Sequence, residues 1–178
     1  MKIGTYSFIL SLTLYSLNPS IVMAQTEYIN HIDINASREK TWDVLTDFRS
    51  YQKWNSVLTL AENDNLEVGQ KFSVTIHDGS KKSRFKALTL SVQPHQTFSA
   101  RQKIIARWFF SATHHFILDT FPNADQEVRF IQKWELTGLI SKIFKKQIFK
   151  QLDLFNQMNQ ELKIYVEDGA TAKTAKAH

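Results

Sequence analysis

The sequence predicts an α+β fold in which a strongly curved antiparallel sheet of about seven strands wraps around a long C-terminal helix, with two short helices after the first strand. Three observations predict it. Short segments of alternating polarity, separated by turn residues, run from Val57 to Leu136; a brief amphipathic helix precedes them, and an unbroken apolar stripe follows them. A sheet curved this strongly cannot lie flat along one helix, so the gap between them becomes a cavity.

The elements follow in order. Lys2 precedes a stretch from Ile3 to Leu17 that is apolar apart from Ser, Thr and one Gly, then Pro19 and Val22-Met23-Ala24. This is a short signal-peptide profile with cleavage expected after Ala24, which makes residues 1–24 a leader and the mature protein periplasmic or secreted. A membrane anchor needs about 20 solidly apolar residues, and this stretch is shorter and rich in hydroxyls. Tyr28 to Asn35 reads as a strand. Ser37 is an N-cap, after which Trp42, Val44, Leu45 and Phe48 recur at helical spacing, and Tyr51 to Trp54 gives a second brief helical turn.

The meander comprises Val57 to Glu62, Lys71 to His77, Ser83 to Val92, Thr97 to Lys103, Ala112 to Phe121 and Glu127 to Leu136. Asp78-Gly79 marks a tight hairpin turn. In the third of these strands Phe85 and Ala87 share one parity while Leu88, Leu90 and Val92 share the other, so a bulge is expected near Ala87. From Leu139 to Val166 the residues Ile140, Phe144, Ile148, Leu152, Phe155, Leu162 and Val166 form one stripe, predicting a single helix of about 28 residues, about 42 Å long. One domain spans 25–167, and the polar, low-complexity tail 168–178 is expected to be disordered.

Composition excludes several functions. With no Cys there is neither disulfide nor thiolate chemistry, and a mature chain of this size can build its core without staples. Twenty-two Lys and Arg against 17 Asp and Glu give a net charge of +5, lowered to +4 once Lys2 leaves with the leader. That charge attracts anionic surfaces weakly. No zinc-finger, helix-turn-helix or RNA-binding signature is present, and no nucleic-acid partner is expected. Nor is there a G-x-S-x-G elbow, an H-E-x-x-H, a phosphate-binding glycine loop or a nucleotide fingerprint, so no cofactor is expected.

Ile34 through Ala36, Trp42, Val44, Leu45, Thr46, Asp47, Tyr51, Trp54 and Asn55 form an opening pattern. His114, Phe116 and Leu118 form a middle one, Arg129, Phe130, Gln132, Leu136, Gly138, Leu139 and Ile140 a third, and Phe155, Met158, Asn159, Leu162 and Lys163 a last. In order and spacing these resemble the SRPBCC, or START-like, superfamily, and within it the polyketide cyclase/dehydrase and lipid-transport group. The resemblance covers nearly the whole mature chain and implies a helix-grip fold with an apolar ligand cavity. Two positions depart from it. Ser56 stands where a Pro commonly follows the Trp-Asn pair, which is expected to loosen the approach to the next strand. Trp134 stands where many relatives carry Glu, so no role of that Glu transfers to this chain.

Several residues are candidates for a site. His114 and His115 are adjacent on one strand, so their side chains point to opposite faces and cannot share a metal; no metal site is expected. His114 shares parity with Phe116 and is the one expected to face the cavity, as a hydrogen-bonding or acid/base group; the alternative is a structural histidine. Trp54 and Asn55 either line the mouth or anchor the small helices. Asn159, on the apolar face of the long helix, either caps backbone groups near Trp54 or meets a ligand. Phe72, Val74, Phe116, Trp134 and Phe155 are expected among the lining. Ile104 to Phe110, including Trp108, is an apolar stretch between strands, read either as a gate or as a buried strand continuation. Lys142, Lys145, Lys146 and Lys150 form a basic face which, with that stretch, could rest transiently on an anionic bilayer.

Two functions follow. The first is an exported carrier or sensor of a hydrophobic small molecule or lipid. The second is a cyclase- or dehydratase-like enzyme for an aromatic or polyketide-like substrate, with His114 and either Arg101 or Asp119 as acid and base; it requires two titratable groups converging on one point. A filled cavity would instead indicate a protein-interaction module.

Overall fold

The computed structural model describes residues 25–62, 64–104, 109–122 and 124–169. The expected leader, its cleavage point, Trp108 and all but the first two residues of the expected tail lie outside them. Seven strands form one antiparallel sheet: β1 Thr26–Ile34, β2 Leu58–Leu60, β3 Lys71–Asp78, β4 Lys81–Gln93, β5 Thr97–Ile104, β6 Phe110–Phe121 and β7 Ala124–Thr137. Their spatial order is β1-β7-β6-β5-β4-β3-β2. Six strands therefore follow one another as a meander, and β1 closes the far edge against β7, from Thr26 opposite Leu136 to Ile34 opposite Val128. The sheet curls into a half-barrel, and its concave face carries the core.

Between β1 and β2 lie α1 Arg38–Thr46, a single 3₁₀ turn at Phe48–Ser50 and α2 Tyr51–Trp54. Ser37 caps α1 by accepting from the Lys40 amide, satisfying one of the donors a helix start leaves free. Trp42 and Leu45 turn inward, Trp42 meeting Phe98 edge-on across 5.9 Å.

The bulge lies later than the sequence predicts. The β3–β4 ladder is unbroken from Asp78 opposite Lys81 to Lys71 opposite Leu88. Against β5 the register shifts between Thr89 and Ser91, which makes Leu90 the extra residue. Phe85, Ala87 and Thr89 thus face inward before it, and Val92, opposite inward-facing Phe98, after it. The change of apolar parity was visible in the sequence, but bulky Leu88 obscured its position because it lies outside the concave face, opposite Arg101.

The single long C-terminal helix is also corrected. The segment forms three helices, α3 Leu139–Ile143, α4 Lys145–Leu152 and α5 Phe155–Asp168. Phe144 leaves helical geometry at φ −107°, ψ 25°. At Asp153–Leu154 the turn tightens to i→i+3 bonds, from the Asn156 amide to the Asp153 carbonyl and from the Gln157 amide to the Leu154 carbonyl. No Gly or Pro marks these breaks. Beside the second break Tyr28 of the edge strand holds Asp153 by a 2.6 Å hydrogen bond and meets Phe149 edge-on at 5.2 Å. Only α5 lies in the grip of the sheet. Its Phe155, Met158, Leu162 and Val166 are buried to 2% exposure or less, and each such apolar side chain stabilises the fold by about 1.5–3 kcal/mol.

Gly138 makes the turn from β7 into α3. Its φ is +100°, and a Cβ there would sit 2.6 Å from the Phe109 carbonyl oxygen, so only glycine fits. The same carbonyl accepts from the Ile140 amide at 3.1 Å, fastening the start of α3 to the chain leading into β6.

Candidate functional site: a two-part apolar cavity

Inward parity on the middle strands decides what faces α5. Ala100 on β5, His114 on β6 and Trp134 on β7 lie opposite one another across three strands. Next to this row, Ala112 pairs with Gln102 and Leu136, and further out Ala87 pairs with Phe72. Three alanines thus occupy the floor where larger side chains would meet the helix. The space they leave is a chamber of about 50 Å³, lined mainly by aromatic rings, Phe48, Phe72, Phe98, Phe116, Trp134 and Phe155 among them. It adjoins an open cleft of about 480 Å³, because Ile76, Phe85, Gln102, Ala112, Trp134 and Phe155 line both. The far wall of the cleft is made by Ile140, Ile148 and Leu152 of α3 and α4, and its rim by Asp78, Lys81 and Arg84 around the β3–β4 turn. The cleft has the size of an ordinary small-molecule site, about 300–1,000 Å³, whereas the chamber holds no more than the end of such a molecule.

The chamber is small because its rings are close-packed. Phe98 and Phe116 stack at 4.3 Å, and His114 lies between Trp134 at 3.6 Å and Phe116 at 3.9 Å. His114 is 7% exposed, and its Nε2 is buried with no hydrogen-bond partner. Burial holds its pKa well below the ordinary imidazole value; the nearby Gln132 carboxamide opposes this, and His115 adds to it. The ring is neutral at pH 7. Tyr51, also on the chamber wall, donates its phenol to the Leu45 carbonyl at 2.8 Å, and burial pushes its pKa up.

Phe72, Val74, His114, Phe116, Trp134 and Phe155 line the chamber. Three other expected lining residues do not. Trp54 is buried against Tyr51 and Tyr165 and donates its Nε1–H to Ser50 Oγ, anchoring the small helices to α5. The Asn55 side-chain oxygen accepts from the Val57 and Leu58 amides, so the amide builds the turn into β2. Asn159 lies in a buried polar cluster, its Oδ1 accepting from Gln132 at 2.6 Å and its Nδ2 donating to Asn30 at 3.4 Å. A polar residue on the apolar face of α5 is tolerated because polar residues of β1 and β7 meet it there.

The Ser56 expectation is also corrected. Its amide donates to Glu161 Oε2 at 2.7 Å, and its hydroxyl binds both Glu161 and Gln157. A proline would lack that amide. The serine therefore ties the approach to β2 to α5 rather than loosening it.

The second group that the acid/base reading named, Arg101 or Asp119, is not in the chamber, and the Tyr51 phenol on its wall is committed to the Leu45 carbonyl. Arg101 reaches Thr113 Oγ1 on the convex face at 3.4 Å. Asp119 is exposed, paired across the ladder with Arg129. His115 also faces outward, its Nε2 3.5 Å from Glu135. Among the described residues no group of three or more His, Asp or Glu side chains is placed to hold a metal.

Sequence reasoning missed Phe48, Tyr51, Phe85 and Phe98 on the chamber wall, and it missed the small residues. Ala87, Ala100 and Ala112 create the space, and Gln102 places an amide where chamber meets cleft. Their signal was alanine at inward parity on central strands, where Val, Ile or Phe is the usual occupant.

The family model for polyketide cyclase / dehydrase and lipid transport matches residues 25–146. The chain belongs to this family. No curated protein matches it by sequence. The same fold occurs in the ZhuI aromatase/cyclase of a Streptomyces species, with TM-score 0.64 and 10% identity over 84% of this chain and 98% of that one. It recurs in norcoclaurine synthase of Thalictrum flavum, with TM-score 0.61 and 12% identity over 92% of this chain and 98% of the other. A START superfamily protein of Mycobacterium smegmatis gives TM-score 0.62 and 12% identity over 80% and 97%. These likenesses establish the helix-grip fold. In this member of the polyketide cyclase / dehydrase and lipid transport family, the apolar space between sheet and helix is the feature with the shape of a ligand site.

Proposed function

We propose that this protein is a noncatalytic carrier or sensor of a hydrophobic small molecule or lipid, working after export and in transient contact with a membrane surface. The observation that carries the reading is the cavity itself: an aromatic chamber floored by three alanines and opening into a cleft large enough for a ligand's body. Such a site recognises apolar shape, with Gln102 the main polar group at the junction of its two parts. Neutral, buried His114 and a Tyr51 phenol committed to the Leu45 carbonyl do not make an acid/base pair.

Titration with the apolar dye Nile red tests the reading. The wild-type protein should bind the dye, with the emission shift of a dry site. Ala100→Phe, which fills the chamber opposite His114, should weaken binding at least tenfold. Ala87→Leu provides a second, milder filling, since overpacking costs about 1–3 kcal/mol in stability; circular dichroism establishes that each variant is folded. Absence of dye binding in the wild type, or unchanged binding in both folded variants, would remove the cavity from the function.

A further inference from the structure

The two short helices that wall the cleft are two-sided. Ile140 and Ile148 face the cleft, and Ser141 is buried with its hydroxyl donated to the Gly138 carbonyl. Leu139, Ile143 and Phe144 line neither part of the cavity and stand in solvent at 52%, 60% and 45% exposure. Single exposed apolar side chains are ordinary, but three within six residues form a patch.

The charge around that patch has one sign. Lys142, Lys145, Lys146 and Lys150 are exposed, and no acidic residue occurs between Leu139 and Leu152. The first acidic residue beyond, Asp153, is engaged by Tyr28. Across the cleft the rim adds Lys81 and Arg84 against Asp78.

We infer that the outer face of α3 and the start of α4 is a docking surface for a bilayer containing anionic lipid, with Leu139, Ile143 and Phe144 entering the headgroup boundary and the lysines pairing with headgroups. An apolar strip flanked by lysines is the composition of an interfacial helix. Among the described residues no helix is long and apolar enough to cross a membrane, so this one lies on the surface. The inference rests on the carrier reading, because docking here sets the mouth of the cleft against the lipid from which a hydrophobic ligand would come.

Co-sedimentation with vesicles tests it, comparing phosphatidylcholine alone with phosphatidylcholine carrying phosphatidylserine. The wild type should bind the anionic vesicles at least tenfold more tightly. Lys145→Gln and Lys146→Gln should each weaken that binding about fivefold, and raised salt should do the same. Ile143→Asp or Phe144→Asp should abolish it, while Nile red uptake without vesicles stays at the wild-type level, since neither residue lines the cavity. Equal binding to both vesicle types, no binding, or unchanged binding by Ile143→Asp overturns the inference. So does a wild-type dimer in sedimentation velocity that Ile143→Asp dissolves, because a second copy would then be the occupant. Dye uptake without vesicle binding sinks the docking surface and leaves the carrier reading standing; vesicle binding without dye uptake does the reverse.

Discussion

Replacing His114 by Phe makes the buried imidazole measurable. In the unfolded chain the ring takes up a proton near about pH 6.5. In the folded chain burial holds the pKa well below that value. Between the two values the unfolded state binds one more proton than the folded state, so stability rises with pH there by about 1.4 kcal/mol per unit. The contribution is complete above the unfolded value and is lost as pH falls below it, until the folded pKa is reached. His114→Phe keeps a ring between Trp134 and Phe116 and removes the proton site. It also removes the unpartnered Nε2, whose burial costs about 1–3 kcal/mol, against a similar cost for the larger ring. At neutral pH the two proteins should therefore lie within about 2 kcal/mol of each other. The assay is urea unfolding of both proteins at neutral and acidic pH, followed by tryptophan fluorescence. The stability of the wild type relative to the variant should fall as the pH is lowered below the unfolded value. Parallel pH profiles would refute the reasoning, since they would mean that the folded protein accommodates the charged imidazole. That result would also return His114 to consideration as an acid.

Two further substitutions probe the framework. Gly138→Ala forces a Cβ against the Phe109 carbonyl at positive φ and should cost about 1–3 kcal/mol, read as a lowered melting temperature; an unchanged melting temperature would mean that the α3 junction shifts freely. Asn159→Leu strands Gln132 and Asn30 without their shared partner and should cost about 1–3 kcal/mol with Nile red affinity unaltered, whereas a selective loss of dye binding would restore Asn159 to the ligand site.

Much of this architecture was legible because period reports burial. The alternation of Phe72, Val74 and Ile76, or of His114, Phe116 and Leu118, places each strand's inward face without reference to its partner. Helix breaks were not legible. The stripe from Ile140 to Val166 is continuous, and the tightening at Asp153 sits beside a hydrogen bond from a tyrosine 125 residues earlier in the chain. The site was legible in some of its large residues and hidden in its small ones. Phe116 and Phe155 announce themselves by size, but a cavity is made by what is missing, and alanine at 100 or 112 says nothing until the opposite wall is known. Trp54, Asn55 and Asn159 were left open between two roles for the opposite reason: each is chemically conspicuous, and each is consumed by local hydrogen bonds or packing.

The division of the C-terminal segment has a mechanical consequence. α5 buries five side chains, whereas α3 and α4 together bury only Ser141 and Leu152. Opening free energy scales with what must be uncovered, so lifting α3 and α4 between their attachments at Gly138 and Asp153 costs a small fraction of unfolding. The sheet would keep hold of α5 throughout. The cavity wall that these two helices make is thus lightly held, tied to the strands at one end through the Phe109 carbonyl and at the other through the Tyr28 hydroxyl.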